Sequence, residues 1–405
     1  MKKVFGNAFS QTTVRLTSST TTFLVTLLIT SYLGIIPFGS FIKITTFVAL
    51  FYLVVDFGIN TVYLRDYFED IEKHFGNILY FRLLLSFLLF VFVSLFVWLL
   101  PTGVNSGFSY FEKLGIILFS LTFFTEAVIF SFSGLVQKKL LQKTLVIPSI
   151  LSSFSLLIIV YFGIMQSNIF LILLSYPISQ VIQILLMLIL VRKKILYNLA
   201  PNSFPSFSKK TVISAAPLAL MLFLNVVYFR VDTFVLSILK STGEVGSYGF
   251  AYKVFEFLIA FPTFLSASIF PILIINKDNK KIFNDKVKTY SIIFLFASII
   301  IGAIVFVLSP VITLIKSDLE SAILPLRILC FALPFFFLTS FFQWILLLKK
   351  KVALLVFIYA LTMIVNIILN VIYIPQFSYN AAAVITVATE GLVFLLMLGI
   401  LSFKK

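Results

Sequence analysis

The sequence predicts an all-α polytopic membrane protein with twelve transmembrane helices in two six-helix bundles, and three observations carry that expectation. Of 405 residues, 61% are hydrophobic and 11% charged, whereas a soluble domain is roughly 45–50% apolar and about 25% charged. The apolar residues, 50 Phe among them, fall in twelve runs, each near the ~20 residues that a span requires. The connections between runs are short, and Lys and Arg concentrate in alternate ones, the pattern of positive-inside topology.

The elements follow in order. The leading stretch MKKVFGNAFSQTTVRL lacks a compact apolar core with a small-residue cleavage site, and reads as the cytoplasmic lead-in to a first span. That span, 14–35, opens on the hydroxyl run TSSTTT (Thr17–Thr22), which could wet an inner mouth or pack against a neighbour. SYLGIIPFGSF turns the chain into 39–63; the charged loop RDYFEDIEKH leads to 77–100; PTGVNSG leads to 112–134. QKKLLQK precedes 143–163, and the short polar turn QSN precedes 168–191. A longer connection, 192–210, contains the Pro/Ser-rich APNSFPSFS and divides the chain into an N-terminal lobe (1–191) and a C-terminal lobe (211–405). The second lobe repeats the pattern with spans at 211–238, 247–273, 289–314, 321–347, 352–374 and 379–401.

With a cytoplasmic N-terminus, the inner side collects 24 of the 31 basic residues, and the outer side holds Lys43, Lys113, Lys240 and Lys316. Both termini are therefore expected in the cytoplasm. The net charge of +16 lies in these inner loops, where topology and anionic headgroups account for it, so no nucleic-acid partner is expected. One cysteine, Cys330, excludes an intramolecular disulfide, and the single histidine, His74, gives no start to a metal site. There is no GxxxxGK[ST] phosphate loop. No extramembrane domain is large enough to house a transferase or hydrolase. The chain is expected to be a transporter rather than an enzyme, without a cofactor.

Ionisable groups inside apolar spans are costly, at about 2.5–3.5 kcal/mol each on insertion scales, and normally face a bundle interior or an aqueous cavity. In the seventh span the 100° helical step puts Asp232 on one face with Asn225 and Tyr228, a possible lumen wall, and turns Arg230 about 200° away. Arg230 and Asp232 are thus no local pair; Arg230 either snorkels or finds a partner on another helix. Lys253 and Glu256, at i and i+3 in the eighth span, are either a self-neutralising pair or a cation meeting an anionic group with Glu256 tuning or competing. Arg327 in the tenth span has the same two readings as Arg230. Glu126, Glu390 and Asp56 are buried carboxylates, candidates for coupling to a proton or sodium gradient or for structural pairing; Glu256 joins them. Asn366 and Asn370 share a face with Thr362 and Tyr373, as lumen lining or as interhelical hydrogen-bonding groups.

The stretch RVDTFVLSILKSTGEVGSYGFAYKVFEFLIAFPTFLSASIFPIL (Arg230–Leu273) resembles the Wzx-type polysaccharide flippases of the multidrug/oligosaccharidyl-lipid/polysaccharide exporter superfamily. SYLGIIPFGSF resembles that family's first outer loop, VVDFGINTVYLRD the end of its second helix, and NIILNVIYIPQFSYNAAAVITVATEGLVFLL its last helix pair. Where the family usually has GxxGAA, this chain has SYNAAA. An echo between halves, GSF at 39–41 and GSY at 246–248, fits two parallel six-helix bundles.

The resemblance implies a MOP/MATE-like fold and a flippase of lipid-linked oligosaccharide in the bacterial cytoplasmic (inner) membrane. It implies alternating access around a cationic cavity, with membrane lipids and polysaccharide polymerase or assembly proteins as partners. Arg230, Lys253 and Arg327 would meet the pyrophosphate and acidic sugars, and Arg15, Arg65 and Arg82 would first meet the headgroup at inner helix ends. Within the superfamily, a drug/cation antiporter would be expected to carry a lumen dominated by acids and aromatics. A lipid II flippase typically has fourteen helices against the twelve here. A non-transporting scaffold of an envelope assembly is the alternative from another class.

Overall fold

The computed structural model describes residues 2–60, 71–103, 105–192, 195, 209–276 and 279–402. Arg65 and most of the 192–210 connection lie outside them. Among the described residues the chain is nearly all helix, with one isolated antiparallel bridge, Thr102 to Gly107. In apolar surroundings only helix satisfies every backbone N–H and C=O within a single segment.

Nine helices are long and apolar enough to cross a membrane, or ten with one bent pair counted as a span, among the described residues. The first unit, residues 1–33 and 40–226, contains α1 (Lys2–Leu33), most of α2 (Ile35–Ala49), α3 (Tyr52–Asp56), α4 (Ile71–Phe96), α5 (Tyr110–Phe119), α6 (Thr122–Lys138), α7 (Lys143–Met165) and α8 (Ile169–Arg192). Here α7 packs on α1 and α8, and α6 on α4 and α8. Phe75 and Ile78 of α4, Phe132 and Leu135 of α6, and Met187 of α8 meet in one buried cluster.

The chain passes to the second unit, residues 34–39 and 227–405, within α9 (Lys209–Leu239) rather than in the expected linker. That unit continues with α10 (Thr242–Ile275), α11 (Lys280–Leu308), α12 (Ile323–Cys330), α13 (Leu333–Leu348) and α14 (Val352–Ser402). In it α13 is central, packed against α10, α11 and α14.

Among the described residues each expected span coincides with helical structure, but several are broken. The second is interrupted after Ala49 and again at Phe57 and Gly58, whose φ angles of 49° and 64° are left-handed. The fourth breaks between α5 and α6. The tenth bends by 48° between α12 and α13, where Pro334 opens the new helix because it needs no N–H partner there. The last two spans form one 51-residue helix, α14, divided at Ser378 (φ 53°, ψ −142°). That backbone conformation is strained for any residue with a Cβ. Ser378 is the first residue of SYNAAA, where the resembled family has glycine.

Five threonines of α1 satisfy their hydroxyls within the helix. Thr17, Thr21, Thr22, Thr26 and Thr30 each donate to the carbonyl four residues back, at 2.7–3.0 Å. This is the standard refuge of a hydroxyl in a helix. Two S-x-x-E capping boxes start α5 (Ser109, Glu112) and α10 (Ser241, Glu244). The GSF/GSY echo has a packing basis within the second unit. A Cβ on Gly39 would strike the carbonyl oxygen of Thr242, and one on Gly246 would strike that of Ile35. The first turns of α2 and α10 therefore touch backbone to backbone, and only glycine permits that distance.

Candidate functional site

The seventh expected span, α9, distributes Tyr228, Arg230 and Asp232 as the helical step requires. Tyr228 and Asp232, four residues apart, point into the interior of the second unit; Arg230 looks elsewhere. Arg230 Nη2 donates to Glu256 Oε1 at 2.8 Å, and Lys253 Nζ donates to Glu256 Oε2 at 2.7 Å. The partner left open by the sequence is thus Glu256, one helix away on α10. Both oxygens of a single carboxylate are divided between two cations, and the triad carries one net positive charge. It is partly open, with side-chain exposures of 21% for Arg230, 12% for Lys253 and 36% for Glu256.

On the opposite face of α9 lies a ladder of carboxylates and hydroxyls. Tyr228 donates to Glu390 Oε2 at 2.8 Å, and Thr339 of α13 donates to Glu390 Oε1. Asp232 accepts from the backbone N–H of Thr233 at 2.6 Å, from the hydroxyl of Tyr248, and from Thr386 at 3.5 Å. The pairs 228/232 on α9 and 390/386 on α14 thus meet rung to rung, each pair spaced by one helical turn. Asp232 and Glu390 are only 3% and 2% exposed, and neither forms an ion pair among the described residues. Hydroxyl donors offset part of the cost of burying them.

Asn366 donates to Thr389 at 3.1 Å, and Asn370 donates to the carbonyl and Oδ1 of Asn366 at 2.9 and 2.8 Å. Tyr228, Asp232, Asn366 and Asn370, read from sequence as lumen lining, are all buried in the second unit. Tyr228 and Asp232 meet Glu390 and Thr386 because one polar stripe on α9 packs against a second on α14, while Asn366 and Asn370 bond to each other and across the two halves of α14 to Thr389. The side chain of Asn225 lies outside the described residues.

The remaining candidates sit elsewhere. Arg327 donates through Nε to Ser309 at 2.9 Å and lies 5.0 Å from the ring centre of Phe306, so cation–π contact and a hydroxyl hold it. Arg15 is exposed on α1. Arg82 is fully buried: α4 begins at least six residues before the expected 77, so Arg82 lies three turns inside the helix. It binds Asp56 Oδ1 at 2.8 Å, the Asp56 carbonyl at 3.2 Å and Ser131 at 3.2 Å. Asp56 is the last residue of α3, so Arg82 closes the carbonyl end that the left-handed Phe57 leaves without helical partners. Arg82 is therefore not at an exposed helix end.

Glu126 on α6 accepts from Gln180 of α8 at 2.7 Å, and Gln180 accepts in turn from Thr125. Two lysines expected on the outer side are buried as well. Lys43 donates to Gly107 O and Lys113 to Leu100 O, each at 2.7 Å, with Glu112 3.5 Å from Lys43. They pin the 100–108 loop, and neither signal was visible without tertiary partners. Among the described residues, no three His, Cys, Asp or Glu come together as metal ligands.

The family model described as "Polysaccharide biosynthesis protein" matches residues 4–274, and the MatE model matches 217–372. No curated protein matches the sequence. Among solved structures the chain is similar to a lipid II flippase, MurJ, in an inward closed conformation (16% identity, 96% of this chain and 86% of that one, TM-score 0.73). It is similar to an inward-facing multidrug resistance MATE family transporter of the MOP superfamily (14% identity, 97% and 98% covered, TM-score 0.71). It also resembles a eukaryotic MATE transporter, AtDTX14 (15% identity, 100% and 95% covered, TM-score 0.66). At these identities the likeness is one of fold.

Proposed function

The chain belongs to the polysaccharide biosynthesis protein family, and from that premise we propose that it is a flippase. Its cargo is an undecaprenyl-pyrophosphate-linked oligosaccharide, carried by alternating access from the inner to the outer leaflet of a bacterial cytoplasmic membrane. The observation that carries this reading is the Arg230–Glu256–Lys253 triad. A diphosphate diester brings two negative charges into a low-dielectric setting, where only paired or hydrogen-bonded anions are tolerated. Two convergent, partly accessible cations on adjacent helices supply that pairing. A cation or drug antiporter would need the opposite sign at such a place. Concentration of Lys and Arg in alternate loops supports cytoplasmic termini.

Coupling is assigned to the buried carboxylates. Glu390 and Asp232 meet only hydroxyl and backbone donors, so uptake of a proton or a monovalent cation would remove the desolvation cost of a bare charge. Glu126 is a further candidate in the first unit, where it accepts from Gln180. The test is deletion in the native host. Loss of surface glycan with accumulation of its lipid-linked precursor is expected, and an unchanged precursor pool would sink the flippase reading. Purified protein that moves lipid-linked oligosaccharide across liposomes would distinguish it from an assembly scaffold.

A further inference from the structure

Glu256 occupies the place that an incoming anion would need. Its Oε1 lies 2.8 Å from Arg230 and its Oε2 2.7 Å from Lys253, and among the described residues these are the only hydrogen bonds the two cationic side chains make. A guanidinium carries five N–H donors and an ammonium three, so most of their donor capacity stays open. Glu256 is the most exposed of the three, at 36%, and solvent near an ion pair weakens it. The carboxylate can therefore swing toward solvent without stranding its own charge, provided that another anion takes its place on Arg230 and Lys253. Lys253 and Glu256 share one helical face at i and i+3, while Arg230 approaches from α9, so the carboxylate ties together cations from two helices.

We infer that Glu256 is a displaceable counter-ion: it holds Arg230 and Lys253 together while the site is empty, yields both to a diphosphate, and recaptures them to drive release. The inference rests on the flippase reading above. It also sets charge selectivity. A ligand with one negative charge exchanges one anion for another and gains little. A diphosphate with two or more charges outcompetes the resident carboxylate. Without Glu256 the two cations would bind any anion, tightly and for longer, which opposes turnover.

The experiment uses the full chain in neutral-lipid nanodiscs near physiological salt, with farnesyl diphosphate as probe, farnesyl methyl phosphate (a diester with one negative charge) as the lower-charge comparison and farnesol as the uncharged control. E256Q is expected to tighten diphosphate binding about 10-fold or more, as removal of one competing charge contact allows. Preference for the diphosphate over the singly charged diester should shrink, and surface glycan export in cells should slow at equal membrane levels. E256D, which keeps the charge but withdraws it by one methylene, should fall between wild type and E256Q, and it carries the test alone if E256Q does not accumulate. A wild type that prefers the diphosphate while neither variant binds it more tightly overturns the counter-ion role and leaves the anion site standing. A wild type with no preference for diphosphate over farnesol, unaffected by K253Q, overturns the anion site itself.

Discussion

At the scale of single residues, the two arginine pairs differ in what they are for. Arg82 is fully buried and bonded to Asp56 and Ser131, so removing either charge strands the other, at a cost of about 3–5 kcal/mol. Arg82→Gln and Asp56→Asn should each sharply lower thermal stability in detergent and membrane abundance. Lys253→Gln touches a partly open site and should abolish glycan export with abundance intact; preserved export would remove the anion site from the mechanism. Tyr228→Phe takes one donor from buried Glu390 and should cost about 1.5–3 kcal/mol, the value of a hydrogen bond to a charged group, read as a fall in melting temperature. Glu390→Gln should change the dependence of transport on an imposed proton or sodium gradient; transport indifferent to the change would leave coupling to another group.

At the scale of elements, the divide in α14 weighs strain against a bond. Ser378 sits at φ 53°, a conformation costing roughly 1–3 kcal/mol for a residue with a side chain. Its hydroxyl donates to Glu244 of the α10 capping box, a charge-assisted bond worth about 1.5–3 kcal/mol. Glycine would lose the bond and relieve the strain, so Ser378→Gly should be near neutral. Alanine loses the bond and keeps the strain, so Ser378→Ala should be the less stable of the two in a thermal shift measurement. Equal stability of the two would refute this balance. The breaks explain what the sequence could and could not disclose. Averaging hydropathy over a span length finds helices because burial in lipid requires many apolar residues in succession. A reversal of φ at Phe57 or Ser378 changes no residue's polarity and is invisible to it. The helical step did separate Arg230 from Asp232 and align Asp232 with Tyr228, because that depends on spacing alone. The partners Glu256, Glu390 and Tyr248 come from other helices, 16 to 162 residues away, and only the fold brings them near.

At the scale of the whole molecule, topology is the testable quantity. Reporter fusions at Lys143 and Lys405 should both report cytoplasm, and an outer signal at either would invert the assignment of loops. The charge bias behind that expectation survives the burial of Lys43 and Lys113, because both are taken from the sparse outer set and bonded to loop carbonyls, with Glu112 beside Lys43.

The spacing of the arginine pairs bears on how the chain is made. Arg82 lies 26 residues after Asp56, and Glu256 lies 26 residues after Arg230. Each arginine thus has its carboxylate on the adjoining helical segment, so the two emerge from the ribosome close together and can partition from the translocon as a hairpin. Alone, an arginine at mid-membrane would resist insertion by about 2.5–3.5 kcal/mol; a hairpin offers the acidic partner in the same step. Asp56→Asn should accordingly lower the inserted fraction of the Arg82 helix in a glycosylation-mapping assay, before any tertiary fold exists to be destabilised. These charge pairs would then serve biogenesis first and the finished protein second.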